Sequence, residues 1–196
     1  KSHERHPLGN DNLMEVSLKC GLFYLLIVAI FRGMLDLGIK ALTPVMLMES
    51  YEYVSPSLAT GMNSILIIAG IFGLFIARYM FPNRIQDEAQ ALVILFASVI
   101  PLLFAVTYVG KIELTLVFIT LCLIVMLMAG AGQFTNAYIA VRFYISGNSG
   151  TVAGLFNAAA SLGIVLANYG FAKIADMFGW IPTVWAWFAL AVASLV

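Results

Sequence analysis

The sequence predicts an all-α integral membrane protein, a bundle of six transmembrane helices built as a three-plus-three inverted repeat. Three observations predict it. Of 196 residues, 62% are hydrophobic and only 10% charged, with ten Lys and Arg against ten Asp and Glu; a soluble chain is about a quarter charged. Five stretches of 20 or more residues hold no Asp, Glu, Lys or Arg: Val54 to Ala77, Ala89 to Gly110, Leu114 to Val141, Phe143 to Ala172 and Met177 to Val196. About 20 apolar residues cross the roughly 30 Å hydrocarbon layer as a helix, so each stretch is long enough for one. Finally, an offset of 93 residues relates Gly61 to Gly154, Gly70 to Gly163 and Ala77 to Gly170. An offset spanning three helices reverses membrane orientation, which is the mark of an inverted repeat.

In chain order, residues 1–17 are polar and read as a cytoplasmic tail or the end of a loop; 18–196 form the bundle. The first helix, about 18–46, is apolar apart from Arg32, Asp36 and Lys40. The second covers about 54–78. The third, about 89–110, holds Pro101, which removes a backbone hydrogen bond and should kink it. The fourth covers about 114–141 and the fifth 148–173. The last begins at Pro182, a good first-turn residue, and is cut short at Val196. With Lys1 rather than Met in front, the chain reads as a fragment, and its first apolar run is too long for a signal peptide. Lys1, Arg5, Lys19, Arg78, Arg84 and Arg142 fall on one side of the membrane, against Lys111 and Lys173, with Lys40 near that end of its helix. This asymmetry places the N-terminus in the cytoplasm, with a bacterial plasma membrane as the expected location.

The residues with chemical potential are few. Arg32, Asp36 and Lys40 follow at i, i+4 and i+8, one face drifting about 40° per step. Charges at that depth normally face a protein interior or a water-filled cavity. Asp36 can pair with either cation, which leaves one positive charge over, suited to an anionic group. The plain alternative is a structural ladder, with Lys40 snorkelling to the interface. Asn157, Ser161 and Asn168 make one polar stripe on the fifth helix; Gln133 and Asn136 on the fourth, and Asn63 and Ser64 on the second, add to it. They line a pathway or serve as interhelical hydrogen bonds. Small residues, Ala69, Gly73 and Ala77 on the second helix and Gly150, Gly154 and Ala158 on the fifth, permit close helix approach.

Other classes find no support in the residues. There is no basic stripe for nucleic acid. Cys20 and Cys122 lie far apart in apolar runs and read as small buried residues. No His falls within a helix, and His3 and His6 sit at a flexible end, so no metal or haem site is expected. GxxxxGK[ST] is absent, and no Ser, His and Asp set supports a hydrolase, so no enzyme and no cofactor are expected.

The stretch Gly150 to Asn157 (Gly-Thr-Val-Ala-Gly-Leu-Phe-Asn), then Gly163 and the run Gly170 to Trp180, resembles the eleventh helix and following loop of major facilitator superfamily transporters. Phe31 to Ile39, through Thr43 and Pro44, is similar to the seventh helix of the branch holding organophosphate:phosphate antiporters and organic-anion porters. The resemblance covers essentially the whole chain and implies the C-terminal six-helix half of a twelve-helix porter. It also implies alternating access, a solute site between two halves, an N-terminal six-helix half as partner and no prosthetic group. In the antiporter branch an arginine on this helix binds substrate phosphate. Aligned on Gly38 and Pro44, Asp36 takes that place and Arg32 lies one turn earlier.

The expected function is therefore secondary transport of a small anionic organic solute. Arg32 binds the anion, Asp36 compensates it, and Asn136, Asn157 and Ser161 line the site. Lys40, Asn63, Gln133 and Asn168 extend the pathway, and Gly150, Gly154 and Gly163 let the halves pack and rock. Two alternatives stand beside it: a proton-coupled sugar or drug porter in which Asp36 titrates, and a six-helix assembly or accessory protein whose ladder is purely structural.

Overall fold

Between Gly21 and Leu195 the chain winds into helices wherever an apolar run allows it. A computed structural model describes residues 21–80, 87–109, 113–141 and 148–195. The expected tail, Cys20, the pair His3 and His6, and the cations Lys1, Arg5, Lys19, Arg84, Lys111 and Arg142 lie outside the described residues. The elements are α1 (Leu22–Ser50), α2 (Pro56–Met80), α3 (Glu88–Val109), α4 (Leu114–Gln133) running into a π-helical segment (Phe134–Ile139), α5 (Ser149–Phe178) and α6 (Trp180–Ala193), with no strand among the described residues. By length and composition, α1, α2, α3, α4 with its π segment, and α5 are each able to cross a membrane. The described part of α6 has 14 residues and is shorter than a span.

Helix ends follow local chemistry. Ser55 accepts the Leu58 N–H at 3.3 Å, and Pro56 follows as first helical residue of α2, the usual N-cap arrangement. Asp87 Oδ1 accepts the Ala89 N–H at 3.1 Å ahead of α3. The first helix runs four residues beyond its expected end at Met46, carrying Pro44 inside it. Next to that proline, the Thr43 hydroxyl donates to the Ile39 carbonyl at 2.7 Å, and such side-chain bonds help membrane helices tolerate proline. The fifth helix likewise runs five residues past 173, and the turn into α6 falls on Gly179 at φ +83°, a left-handed value that favours glycine. Pro182 sits within the first turn of α6, where its missing N–H has no intrahelical role.

The most extensive helix contacts are α1 with α5 and α2 with α4. Both seams close on glycine. A Cβ on Gly33 would run into the backbone of Ala160, one on Gly163 into the carbonyl of Ile30, and one on Gly73 into the carbonyl of Met126. Gly73 and Ala77 thus pack as expected. Gly150 and Gly154 touch no other helix of this bundle: a Cβ on either meets nothing, and Ala158 is exposed. The reason is angular. The buried stripe of α5 is Val152, Phe156, Ala160, Gly163, Ala167 and Phe171, and at 100° per residue Gly150, Gly154 and Ala158 point to the opposite side. Large apolar side chains, among them Phe96, Phe134, Phe156 and Trp187, fill the core. Of the five long helices, α2 and α5 are the least buried, at 22% and 28% of an apolar 18-residue stretch of each against 39–44% for the others.

Candidate functional site

The ladder of α1 turns inward. Arg32 and Asp36 are each only 6% exposed, so they are held by protein rather than by bulk solvent. Lys40 Nζ lies 2.5 Å from Asp36 Oδ1, and Arg32 Nη1 lies 3.9 Å from Asp36 Oδ2. Asp36 is thus in close contact with Lys40 and at the limit of an ion pair with Arg32. Among the described residues Arg32 Nε is buried without a hydrogen-bond partner, whereas buried donors are normally hydrogen-bonded. Lys40 turns to Asp36. Because α1 continues to Ser50, Lys40 stands ten residues, roughly 15 Å, from the helix end, and its side chain is 17% exposed beside Asp36.

A cavity of about 320 Å³ opens on this ladder. Arg32, Asp36 and Lys40 form one wall; Ile67, Gly70, Ile71 and Leu74 of α2 form an apolar wall; Ala129, Gly132, Gln133 and Asn136 close the third. Gln133 ends α4, and Asn136 lies within the π-helical segment. Here the backbone is held by the Thr135 hydroxyl, which donates to the Gly132 carbonyl at 3.1 Å and reaches that of Ala131 at 3.4 Å. Such segments are often found at functional sites, where the wider turn redirects side chains.

Asn136 Nδ2 donates to Asn157 Oδ1 at 2.9 Å, tying the π segment to α5. Of the sequence candidates, the cavity therefore gathers Arg32, Asp36, Lys40, Gln133 and Asn136, with Asn157 attached through Asn136. Ser161 and Asn168 are exposed on α5 and line no part of it. Asn63, whose Oδ1 is buried without a partner, and Ser64, whose hydroxyl donates to Thr60, also lie outside it. Asn157→Ala is expected to lower stability by about 0.6 kcal/mol, the usual worth of an interhelical bond in a membrane. A double-mutant cycle with Asn136→Ala, read by thermal unfolding, checks this; zero coupling would show that the bond contributes nothing.

Two features were not read from the sequence. One is Gly132, against which the Arg32 guanidinium rests. The other is the bond from Trp180 Nε1 to Glu49 Oε2 at 2.9 Å, which ties the end of α1 to the start of α6. It borders a second cavity of about 190 Å³ lined by Met46, Ser50, Tyr51, Val106, Thr107 and Val184 among others. There, burial and then the neighbouring Tyr53 push the Tyr51 phenol above its ordinary value. Trp180→Phe removes one hydrogen bond to a charged group and should destabilise by about 1.5 kcal/mol; a chemical-unfolding series against wild type measures it. Among the described residues, no group of three or more His, Cys, Asp and Glu could hold a metal ion. No protein-family model matches the chain, and no curated protein matches it.

Proposed function

We propose that this chain is half of a secondary transporter for a small organic anion, working by alternating access. The observation that carries the reading is Arg32: a buried guanidinium with an unpartnered Nε, opening on a cavity beside a carboxylate already engaged by Lys40. Arg32, Asp36 and Lys40 sum to one positive charge. One wall of the cavity is polar and cationic, and the facing wall of Ile67, Ile71 and Leu74 is apolar, a combination suited to a charged group on an organic body. Gln133 and Asn136 supply amides for its neutral polar atoms.

Two further features support the six-helix half with an inverted repeat. Exchanging the first helix with the fourth and the second with the fifth interchanges the α1–α5 and α2–α4 seams, the two most extensive in the fold. The thinly buried α2 and α5 leave apolar faces, including Ile68, Phe72 and Phe75 on one and Leu162, Val165 and Leu166 on the other. Those faces are free for lipid and for a second six-helix half.

The test is thermal stabilisation in lipid nanodiscs by a panel of phosphorylated and carboxylated metabolites, with Arg32→Ala beside wild type. One anion should stabilise wild type, by about 2.7 kcal/mol at a hundred times its dissociation constant, and fail on a folded Arg32→Ala. Equal stabilisation of both proteins, or of neither, sinks the anion reading. The Lys40–Asp36 contact favours a second reading, a purely structural ladder whose charges neutralise one another along α1, and that result would select it.

A further inference from the structure

Gly33, Gly73 and Gly163 leave room for the backbone of a facing helix. Gly132 is different. A Cβ built there would meet three atoms of one side chain: Arg32 Nη1 at 2.6 Å, Cζ at 3.4 Å and Nε at 3.9 Å. Gly33, Gly73 and Gly163, by contrast, would strike carbonyls and other backbone atoms of the facing helix. Glycine inside a helix is disfavoured relative to alanine, and no neighbouring backbone explains it at 132. What occupies the space is the guanidinium.

We propose that Gly132 is a positioning residue for Arg32: the missing side chain is the seat in which the guanidinium lies, fixing where its free donors point in the cavity. The proposal rests on the anion-binding reading for its functional consequence, but the seat itself rests on geometry alone. The obstacle a Cβ would meet is the far end of a flexible side chain, so alanine at 132 moves Arg32 rather than the helices. A guanidinium recognises an anion through a rigid planar fork, so a shift of its plane breaks paired hydrogen bonds. Gly61 supplies the contrast. It lies on α2 outside the cavity lining, and a Cβ there meets nothing within 4 Å.

The experiment uses the full chain in lipid nanodiscs with Gly132→Ala, Gly61→Ala, Arg32→Lys and the double variant Gly132→Ala/Arg32→Lys. Two readouts are taken. Lactate and glycerol 3-phosphate serve as a carboxylate and a phosphate probe of affinity, and phenylglyoxal, which adds to guanidinium groups, reports the reactivity of Arg32 by peptide mass spectrometry. Exposed Arg78 is the internal reference. Gly132→Ala should weaken binding of the probe that wild type prefers about tenfold, the worth of one charge-assisted hydrogen bond, and should speed modification of Arg32 several-fold while Arg78 is unchanged. Gly61→Ala should do neither. On the Arg32→Lys background, adding Gly132→Ala should have no further effect on affinity.

If wild type binds neither probe, the phenylglyoxal rate alone decides the seat. An unchanged Arg32 rate in Gly132→Ala overturns the proposal, and so does an equal loss of affinity with Lys at position 32. Should Gly132→Ala fail to fold, Arg32→Ala is added to it. Recovery of the fold then places the clash on the guanidinium, and no recovery overturns the proposal.

Discussion

Gly33→Val is expected to destabilise the bundle by about 3 kcal/mol or more, the upper range for overpacking a tight contact. The first atom of any side chain at 33 would occupy the space of the Ala160 backbone on α5. A backbone carbonyl inside a helix cannot rotate away as a side chain can, so the two helices must separate. Separation also lifts the reciprocal contact of Gly163 on the carbonyl of Ile30, and with it the most extensive seam in the fold. Membrane helices associate mainly through such close packing, because lipid removes most of the hydrophobic drive between them. The control is Gly154→Val, a substitution on α5 that meets open space and should fall within about 0.5 kcal/mol of wild type apart from helix propensity. Thermal unfolding in nanodiscs ranks the two. Equal midpoints would mean that the seam is not held by backbone approach.

That seam also shows how far a sequence can be read. The uncharged runs locate the helices to within a few residues, because bilayer thickness sets the length an apolar run must have. Their ends are less legible: α1 passes through Pro44 to Ser50 and α5 continues past Lys173 to Phe178, since neither a proline beside a threonine nor an interfacial charge must stop a helix. Small residues announce close packing but not its direction. Gly73 and Gly163 do pack, whereas Gly150 and Gly154, equally plausible in the sequence, face outward. The π segment at Phe134–Ile139 is not announced either: Thr135 and Asn136 make it more polar than the helix before it, but nothing in that pattern marks a wider turn.

The candidate site divides the same way. Charges inside an apolar helix are rare enough that Arg32, Asp36 and Lys40 mark themselves. The amides do not, since Asn136 and Asn168 look alike until their helices are placed, and then only Asn136 reaches the cavity. Gly132 is hidden for a stronger reason. What it accommodates is a side chain one hundred residues away in sequence, and no local pattern encodes that neighbour.

Asp36→Asn is expected to destabilise the protein by about 2–3 kcal/mol and, against intuition, to make it more responsive to anions. Asp36 stands between two cations one helical turn to either side, in contact with Lys40 and 3.9 Å from Arg32. Asparagine keeps its size and removes its charge, so two positive groups share one cavity without a counter-ion. Breaking a fully buried pair costs about 3–5 kcal/mol; the lower figure reflects a cavity wall rather than a sealed core, with Lys40 partly exposed. The triple variant Arg32→Gln, Asp36→Asn and Lys40→Gln removes every charge and should recover most of the loss, because neutral groups carry a smaller desolvation penalty. A bound anion would replace the missing carboxylate, so the anion that stabilises wild type should raise the unfolding midpoint of Asp36→Asn by a larger margin. A structural ladder predicts the same destabilisation and the same recovery in the triple variant, but no response to anions. If instead Asp36→Asn unfolds with wild type, Lys40 and Arg32 are already solvated in the cavity, and Asp36 is not their counter-ion.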